Sequence, residues 1–245
     1  MFRKTWTQAG RWLRQQPARP LLAPAARRRA AGRVAGCVMV VVVLGAQFAH
    51  QGRPDRLDRA IDSWIRAGLG HHQGWLNVGA EVGDLVPVTL ITAALVLACL
   101  ATRRWRGAAL VAVAEPAASA LTEFLLKPLI HRTIQGALSF PSGHSTVMFT
   151  LASACLVLLA GPSRPPMPTA WRVLLVAAGY LIATAVAVAM VGLGAHYFTD
   201  IVAGAAVGTA VVLVTALILD RLGQWEQQPP QFPLRPPAPE RAVRR

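Results

Sequence analysis

Long apolar stretches alternate with short polar segments along most of this chain. A helix that crosses a membrane needs about 20 mostly apolar residues, with a range of about 17–25. Six stretches approach or meet that length, and they are Val34–Ala49, Val82–Ala101, Gly107–Leu126, Ser145–Gly161, Val173–Gly192 and Ile201–Leu222. The pattern predicts an all-α, polytopic membrane protein whose domain, residues 34–222, is a bundle of six transmembrane helices.

The composition supports this prediction, because 54% of the residues are hydrophobic and 15% are charged. These proportions are too apolar for an ordinary soluble domain. The net charge of +14 is concentrated in the tails and short loops. Such a distribution favours membrane topology and contact with anionic lipids over nucleic-acid binding. Residues 1–33, which are basic, and 223–245, which are proline-rich, are predicted to be disordered tails.

The positive charges also predict an orientation in the cell membrane. Six spans place both tails on one side, together with the loops around Arg103–Arg106 and Gly161–Arg172. That side carries 19 of the 25 Lys and Arg residues, which leaves six on the other. The positive-inside rule therefore places both tails in the cytoplasm.

The loop between the first two spans, Gln51–Glu81, has a helical pattern of its own. Its apolar residues recur at helical spacing among charged ones, at Leu57, Ile61, Trp64, Ile65 and Leu69. This pattern predicts a short amphipathic helix lying at the membrane interface. His71 and His72 at its end are either a metal site or a solvated pair. The absence of Cys or carboxylate at ligand spacing favours the solvated pair.

Two histidine motifs stand at the starts of apolar segments and are the main candidates for chemistry. Pro141–His144 precedes the fourth span, and His196–Asp200 precedes the sixth. Ser142 can cap a helix, and Gly143 lets the backbone approach a ligand at a helix N-terminus, a position that suits phosphate. Asp200 lies four residues after His196, so on a helix it can orient that imidazole. Each motif also has a structural interpretation, a capped helix or an interfacial His–Asp pair.

Two cations follow the third span on the same predicted outer side. Lys127 and Arg132 are not expected there from topology, so a bound anionic substrate explains them better. Glu123, one turn before Lys127, is expected to pair with it. With the two histidines and Asp200, these residues suggest phosphoryl transfer through histidine.

These motifs resemble those of the type 2 phosphatidic acid phosphatase family, the lipid phosphate phosphatases related to vanadium haloperoxidases. The Pro-Ser-Gly-His motif matches fully at Pro141–His144, and the His-x-x-x-Asp motif matches at His196 and Asp200. The resemblance implies that His196 is the nucleophile, that Asp200 orients it, and that His144 is the general acid and base. Ser142, Gly143, Lys127 and Arg132 are then expected to hold the phosphate, with no metal and no other cofactor.

The resemblance has two departures. Four residues separate Lys127 from Arg132 where the family has six, and threonine replaces the proline that follows. Met190 stands where the family has a second phosphate-binding arginine. Losing one charged hydrogen bond costs about 1.5–3 kcal/mol, which weakens transition-state binding without abolishing turnover. His131, next to Arg132, either compensates or is a loop histidine without a role.

The expected activity is hydrolysis of a lipid phosphate or diphosphate through a phosphohistidine. Undecaprenyl diphosphate, phosphatidic acid and phosphatidylglycerol phosphate are the candidate classes of substrate. A non-catalytic binder or transporter of such lipids and a lipid phosphotransferase are the alternatives. Glu115, inside the third span, is either functional or a protonated carboxyl hydrogen-bonded to a neighbouring helix. Asp84 is expected to cap a helix, although it could reach the mouth of the site.

Overall fold

The computed structural model describes residues 20–161 and 167–225, and most of them are helical. The helices are α1 (Pro24–Phe48), α2 (Arg56–Leu69), α3 (Gln73–Glu81), α4 (Leu85–Ala101), α5 (Trp105–Ala120), α6 (Lys127–Ile130), α7 (Gly143–Ala160), α8 (Thr169–Gly192) and α9 (Phe198–Trp225). A π-helical segment, Leu121–Leu126, joins α5 to α6. A short hairpin, absent from the predictions, pairs β1 (Thr133–Ile134) with β2 (Ala137–Leu138).

The described helices confirm the predicted fold class. Five helical stretches are long and apolar enough to cross a membrane, and α5 to α6 form one of them, Trp105–Ile130. The helices α3 and α4 meet at a bend of 47° and count as a sixth span if they are taken together. The chain is therefore an all-α membrane protein whose described residues contain five candidate spans, or six with the bent pair α3–α4.

The first span begins earlier than its apolar pattern suggested. Helix α1 starts at Pro24, so residues 24–33 of the expected disordered tail are helical. The buried carboxylate of Asp220, near the end of α9, accepts hydrogen bonds from the backbone N–H groups of Leu21 (2.6 Å) and Leu22 (2.9 Å). This contact fixes the start of α1 against the end of α9. Residues 223–225 of the other expected tail are also helical, since α9 ends at Trp225, and residues 1–19 and 226–245 lie outside the described residues.

Close packing between α7 and α9 sets the geometry at one end of the bundle. A Cβ atom on Gly204 would lie 2.6 Å from the carbonyl oxygen of Ser142, and one on Gly208 would lie 2.5 Å from that of Thr146. Glycines spaced four apart let two membrane helices approach at this distance. The N-terminal ends of α7 and α9 consequently lie side by side.

Helix α2 confirms the predicted helix in the first loop, but its buried face is not the apolar one. Asp58 and Asp62 are fully buried, and Ile65 is nearly so. Leu57 and Trp64 point outward, with 52% and 77% of their surface exposed. The helix therefore turns two carboxylates toward the bundle, at the end where α7 and α9 begin.

Candidate active site

His196 lies in the turn that leads into α9, next to the carboxylate of Asp200. Its Nδ1 atom is 3.7 Å from Oδ2 of Asp200, and the side chain is 10% exposed. Nδ1 is buried and has no hydrogen-bond partner among the described residues. Nδ1 therefore faces the carboxylate, and Nε2 is the ring nitrogen that is not directed at Asp200.

Asp200 is held in place by a buried network of charges. Its Oδ1 atom accepts a hydrogen bond from Nη1 of Arg132 at 2.6 Å, and its Oδ2 atom accepts one from the backbone N–H of Tyr197 at 3.1 Å. Nη2 of Arg132 donates to Asp58 at 2.5 Å. All three charged side chains have zero exposure, so the arginine bridges α2 to the start of α9. The ring of Phe48 lies 3.9 Å from its guanidinium carbon.

The two carboxylates of α2 also cap the N-terminus of α9. Asp58 accepts hydrogen bonds from both the backbone N–H and the hydroxyl of Thr199, and Asp62 accepts one from the N–H of Phe198 at 3.1 Å. Negative groups near a helix N-terminus stabilise it through the helix dipole. Burial raises the pKa of Asp62 to about 6, although the hydrogen bond from Phe198 acts in the opposite direction.

The Pro-Ser-Gly-His motif forms the start of α7 as predicted. The hydroxyl of Ser142 accepts a hydrogen bond from the backbone N–H of Ser145 at 3.4 Å, which makes it the N-cap. The N–H of Ser142 donates to the carbonyl of Asp200 at 3.0 Å. This backbone bond joins the two histidine motifs directly.

His144 contacts Asp84, which begins α4. The two side chains are joined at 3.1 Å between Nε2 and Oδ1, with 27% and 57% exposure. Asp84 was expected to cap α4, and it occupies the N-cap position, but it makes no side-chain capping bond and its carboxylate contacts His144 instead. An ionised carboxylate can only accept, so Nε2 of His144 carries the proton in this contact. A Cβ on the preceding Gly83 would lie 2.7 Å from the imidazole, which explains the small residue there.

Lys127 forms an ion pair with Glu123, as expected from their spacing. Nζ lies 2.7 Å and 2.9 Å from the two carboxylate oxygens. A Cβ on Gly143 would be 2.7 Å from Oε1 of Glu123 and 3.8 Å from Nζ of Lys127. The ion pair therefore lies directly against the first residue of α7. Glu123 belongs to the π-helical segment, a geometry that is frequent at functional sites.

The structure thus brings all seven predicted site residues to the starts of α7 and α9, either in direct contact or through the neighbouring backbone: His144, His196, Asp200, Lys127, Ser142, Gly143 and Arg132. Arg132 lies in the same region, but its placement differs from that of a phosphate ligand. Both terminal nitrogens bond to protein groups, and the side chain has no exposed surface. Met190 is also buried, packed with Ile65 of α2 rather than lining an open site.

Four other candidates lie outside this arrangement. Glu115 accepts a hydrogen bond from the hydroxyl of Ser119 on its own helix at 3.0 Å. The ring of His131 lies 5.8 Å from that of His50, and the rings of His71 and His72 are 6.0 Å apart. Within residues 20–161 and 167–225, no cluster of three or more His, Cys, Asp or Glu side chains could hold a metal ion.

The sequence analysis missed the roles of Asp58 and Asp62. The signal was present in their spacing of four residues, continued by Ile65 three residues further, which places all three on one helix face. The sequence analysis used only the apolar positions of this helix and assigned no role to the two carboxylates.

Comparison with known protein families identifies the superfamily of this chain. The sequence model of the PAP2 superfamily matches residues 30–224, which is most of the chain. The chain belongs to the PAP2 superfamily. Comparison with curated proteins gives no match.

A solved structure supports the fold. This PAP2 chain is similar to a transmembrane PAP2 type phosphatidylglycerolphosphate phosphatase from Bacillus subtilis, with 19% sequence identity and a TM-score of 0.58. The match covers 78% of this chain and 97% of the other. At this identity the likeness establishes a shared membrane fold.

Proposed function

We propose that this PAP2 protein is an integral membrane phosphatase that hydrolyses a lipid phosphomonoester or diphosphate through a phosphohistidine. The observation that carries the proposal is the backbone bond from Ser142 to Asp200. It joins the start of α7, with His144, to the start of α9, with His196. Two imidazoles from different spans then flank one anion-binding helix N-terminus.

In the proposed first step, Nε2 of His196 attacks phosphorus while the bond from phosphorus to the leaving oxygen breaks. His144, as the imidazolium, gives its Nδ1 proton to that oxygen, while the contact between Nε2 and Asp84 orients the ring. Asp200 stabilises the positive charge that develops on His196. In the second step His144 takes a proton from water, the water oxygen attacks phosphorus, and the phosphorus–nitrogen bond breaks.

In this proposal, protein groups stabilise the negative charge on the phosphoryl oxygens. The backbone N–H groups at the start of α7 and the ammonium of Lys127 face the same region. Preorganised donors of this kind stabilise the transition state where charge develops. We propose that turnover needs no metal, and expect excess EDTA to leave the rate unchanged.

The substrate is proposed to be a lipid of the outer leaflet of the cell membrane. The charge distribution supports cytoplasmic tails, which places the starts of α7 and α9 on the outer side. A headgroup can meet the site there without leaving the interface. Phosphatidylglycerol phosphate, phosphatidic acid and undecaprenyl diphosphate are the candidate classes, and the first is the substrate named for the Bacillus subtilis protein.

A phosphate-release assay across these three lipids tests the proposal. Purified protein is expected to release phosphate from at least one of them, with inhibition by vanadate. His196→Ala is expected to be inactive, and His144→Gln slower by about 10²–10⁴-fold. No release from any of the lipids, or release that His196→Ala retains in full, would contradict the proposal.

The burial of Arg132 and Met190 also supports a second candidate function, since neither offers a phosphate contact as placed. On this account the chain binds or moves lipid phosphates without hydrolysis. Lipid binding would then survive His196→Ala, and no phosphoenzyme would form. Phosphotransfer to a lipid acceptor is distinguished from hydrolysis by analysing products with and without that acceptor.

A further inference from the structure

The cations of the proposed site are largely neutralised by carboxylates. Arg132 contacts two of them, Asp58 and Asp200, with no exposed surface. Lys127 contacts both oxygens of Glu123. A phosphate dianion bound beside His196 requires additional positive charge, since charged hydrogen bonds supply much of the affinity for such groups.

Arg66 on α2 is a partly exposed cation beside the segment that carries His196. Its Nη1 atom lies 3.8 Å from the position that a Cβ would take on Gly194, two residues before His196. Gly194 has a φ of +72°, so glycine is favoured there for its backbone as well. The arginine side chain is 47% exposed, which leaves it accessible to a ligand.

Two of the three guanidinium nitrogens of Arg66 are used to orient it. Nε donates to the carbonyl of Asp62 at 3.1 Å, and Nη2 lies 3.4 Å from the Asp62 carboxylate. Nη1 has no hydrogen-bond partner among the described residues. The side chain is therefore held by Asp62, and its Nη1 atom, on the side of Gly194, is available to a ligand.

The position of α2 relative to the site is itself fixed. Asp62 accepts a hydrogen bond from the N–H of Phe198, two residues after His196. Ile65, next to Arg66, packs in the same cluster as Met190 and Ile201. Contacts on both sides of His196 thus hold Arg66 along the 194–198 segment.

From this geometry we infer that Arg66 is a phosphate-binding residue of the site, contributed by the amphipathic helix α2. The inference rests on the proposed function and adds a ligand that the histidine motifs do not contain. The ligand class is a phosphate monoester or diphosphate dianion, whose oxygens accept from Nη1. The chain thereby supplies from α2 a positive charge that the buried, apolar Met190 of α8 does not provide.

The test measures inhibition of lipid phosphate hydrolysis by inorganic phosphate in the purified full chain. Arg66→Gln is expected to raise the Ki for phosphate about 10- to 100-fold, the effect of losing one charged hydrogen bond. Arg59→Gln is the matched control, because Arg59 lies on the same helix and donates to the backbone carbonyl of Asp55 instead. It is expected to change the Ki less than twofold. A Ki for Arg66→Gln within twofold of the wild type overturns the inference.

A second variant tests the inference if Arg66→Gln does not fold. Arg66→Lys keeps the positive charge and the aliphatic stem but has no Nη1 beside Gly194, so phosphate is expected to bind more weakly than to the wild type. Binding of phosphate as tight as in the wild type overturns the inference. The rise in melting temperature caused by inorganic phosphate measures binding without turnover. Failure of this inference is therefore distinguishable from a failure of the proposed activity.

Discussion

Arg132 has partners that the sequence around it does not predict. Its position on the outer side and the family resemblance predicted a phosphate ligand, and the folded chain places it between two buried carboxylates, Asp58 and Asp200. Asp58 is 74 residues away in sequence. Local spacing cannot reveal such a partner, because the pairing exists only after α2 has packed on the start of α9.

Replacing Arg132 therefore tests a positioning role against a ligand role. Arg132→Met leaves two buried carboxylates without their cation, and breaking a buried ion pair in this way costs about 3–5 kcal/mol. We expect a large loss of stability in unfolding measurements in detergent, together with loss of activity through Asp200. Unchanged stability with a raised Ki for phosphate would instead identify Arg132 as a phosphate ligand.

Asp62 is expected to make the stability of the folded chain depend on pH. Its pKa is raised from 3.8 to about 6 by burial, so the folded protein holds this proton to a higher pH than the unfolded chain does. The contribution of Asp62 to stability accordingly falls as pH rises from about 4 to about 6. Asp62→Asn is expected to remove that part of the pH dependence of the melting temperature. An identical pH profile in the variant and the wild type would show that Asp62 does not titrate in this range.

At the scale of elements, apolar length predicted the membrane helices well and their ends less well. All six predicted segments correspond to described helices, because burial in a membrane requires such lengths. The start of α1 was missed because Pro24–Arg33 is basic and its helix depends on a contact with Asp220. The bend before α4 lies at Gly83, where a Cβ atom would come within 2.7 Å of the imidazole of His144, a contact that no local pattern predicts.

Packing of α7 on α9 is the contact between elements on which the proposed site depends most. Gly204→Ala places a methyl group 2.6 Å from the backbone oxygen of Ser142, so overpacking of about 1–3 kcal/mol is expected, with reduced activity. Gly179→Ala is the matched control, because its methyl would meet Ala152 at ordinary distances of 3.7 Å and 3.8 Å. Equal stability and activity of the two variants would contradict this account of the helix contact.

At the scale of the whole molecule, the proposed function requires the site to face outward. Gln135 in the hairpin is exposed at the site end, and Arg103 is exposed between α4 and α5 at the opposite end. In a background without the three native cysteines, a membrane-impermeant maleimide applied to intact cells or right-side-out membranes is expected to label Gln135→Cys. Arg103→Cys is expected to react only after the membrane is permeabilised. The reverse pattern would place the site in the cytoplasm.

Sequence and structure contribute differently to the complete site. The motifs at Pro141–His144 and His196–Asp200 were predicted together because each residue type has a definite role in phosphoryl transfer. The supporting residues Asp58, Asp62 and Asp84 come from other elements and serve the site through burial and tertiary contact. Spacing placed Asp58 and Asp62 on one helix face, and Asp84 was a possible neighbour of the site, but their partners could be identified only once α2 and α4 were placed.

Trapping the covalent intermediate tests the central claim most directly. The purified protein is incubated with lipid substrate carrying a labelled phosphate, quenched in alkali, and digested for mass spectrometry. The account predicts an acid-labile, base-stable phosphoramidate on the peptide that contains His196, and none in His196→Ala. Phosphate release without any such label, or a label on another residue, would contradict it.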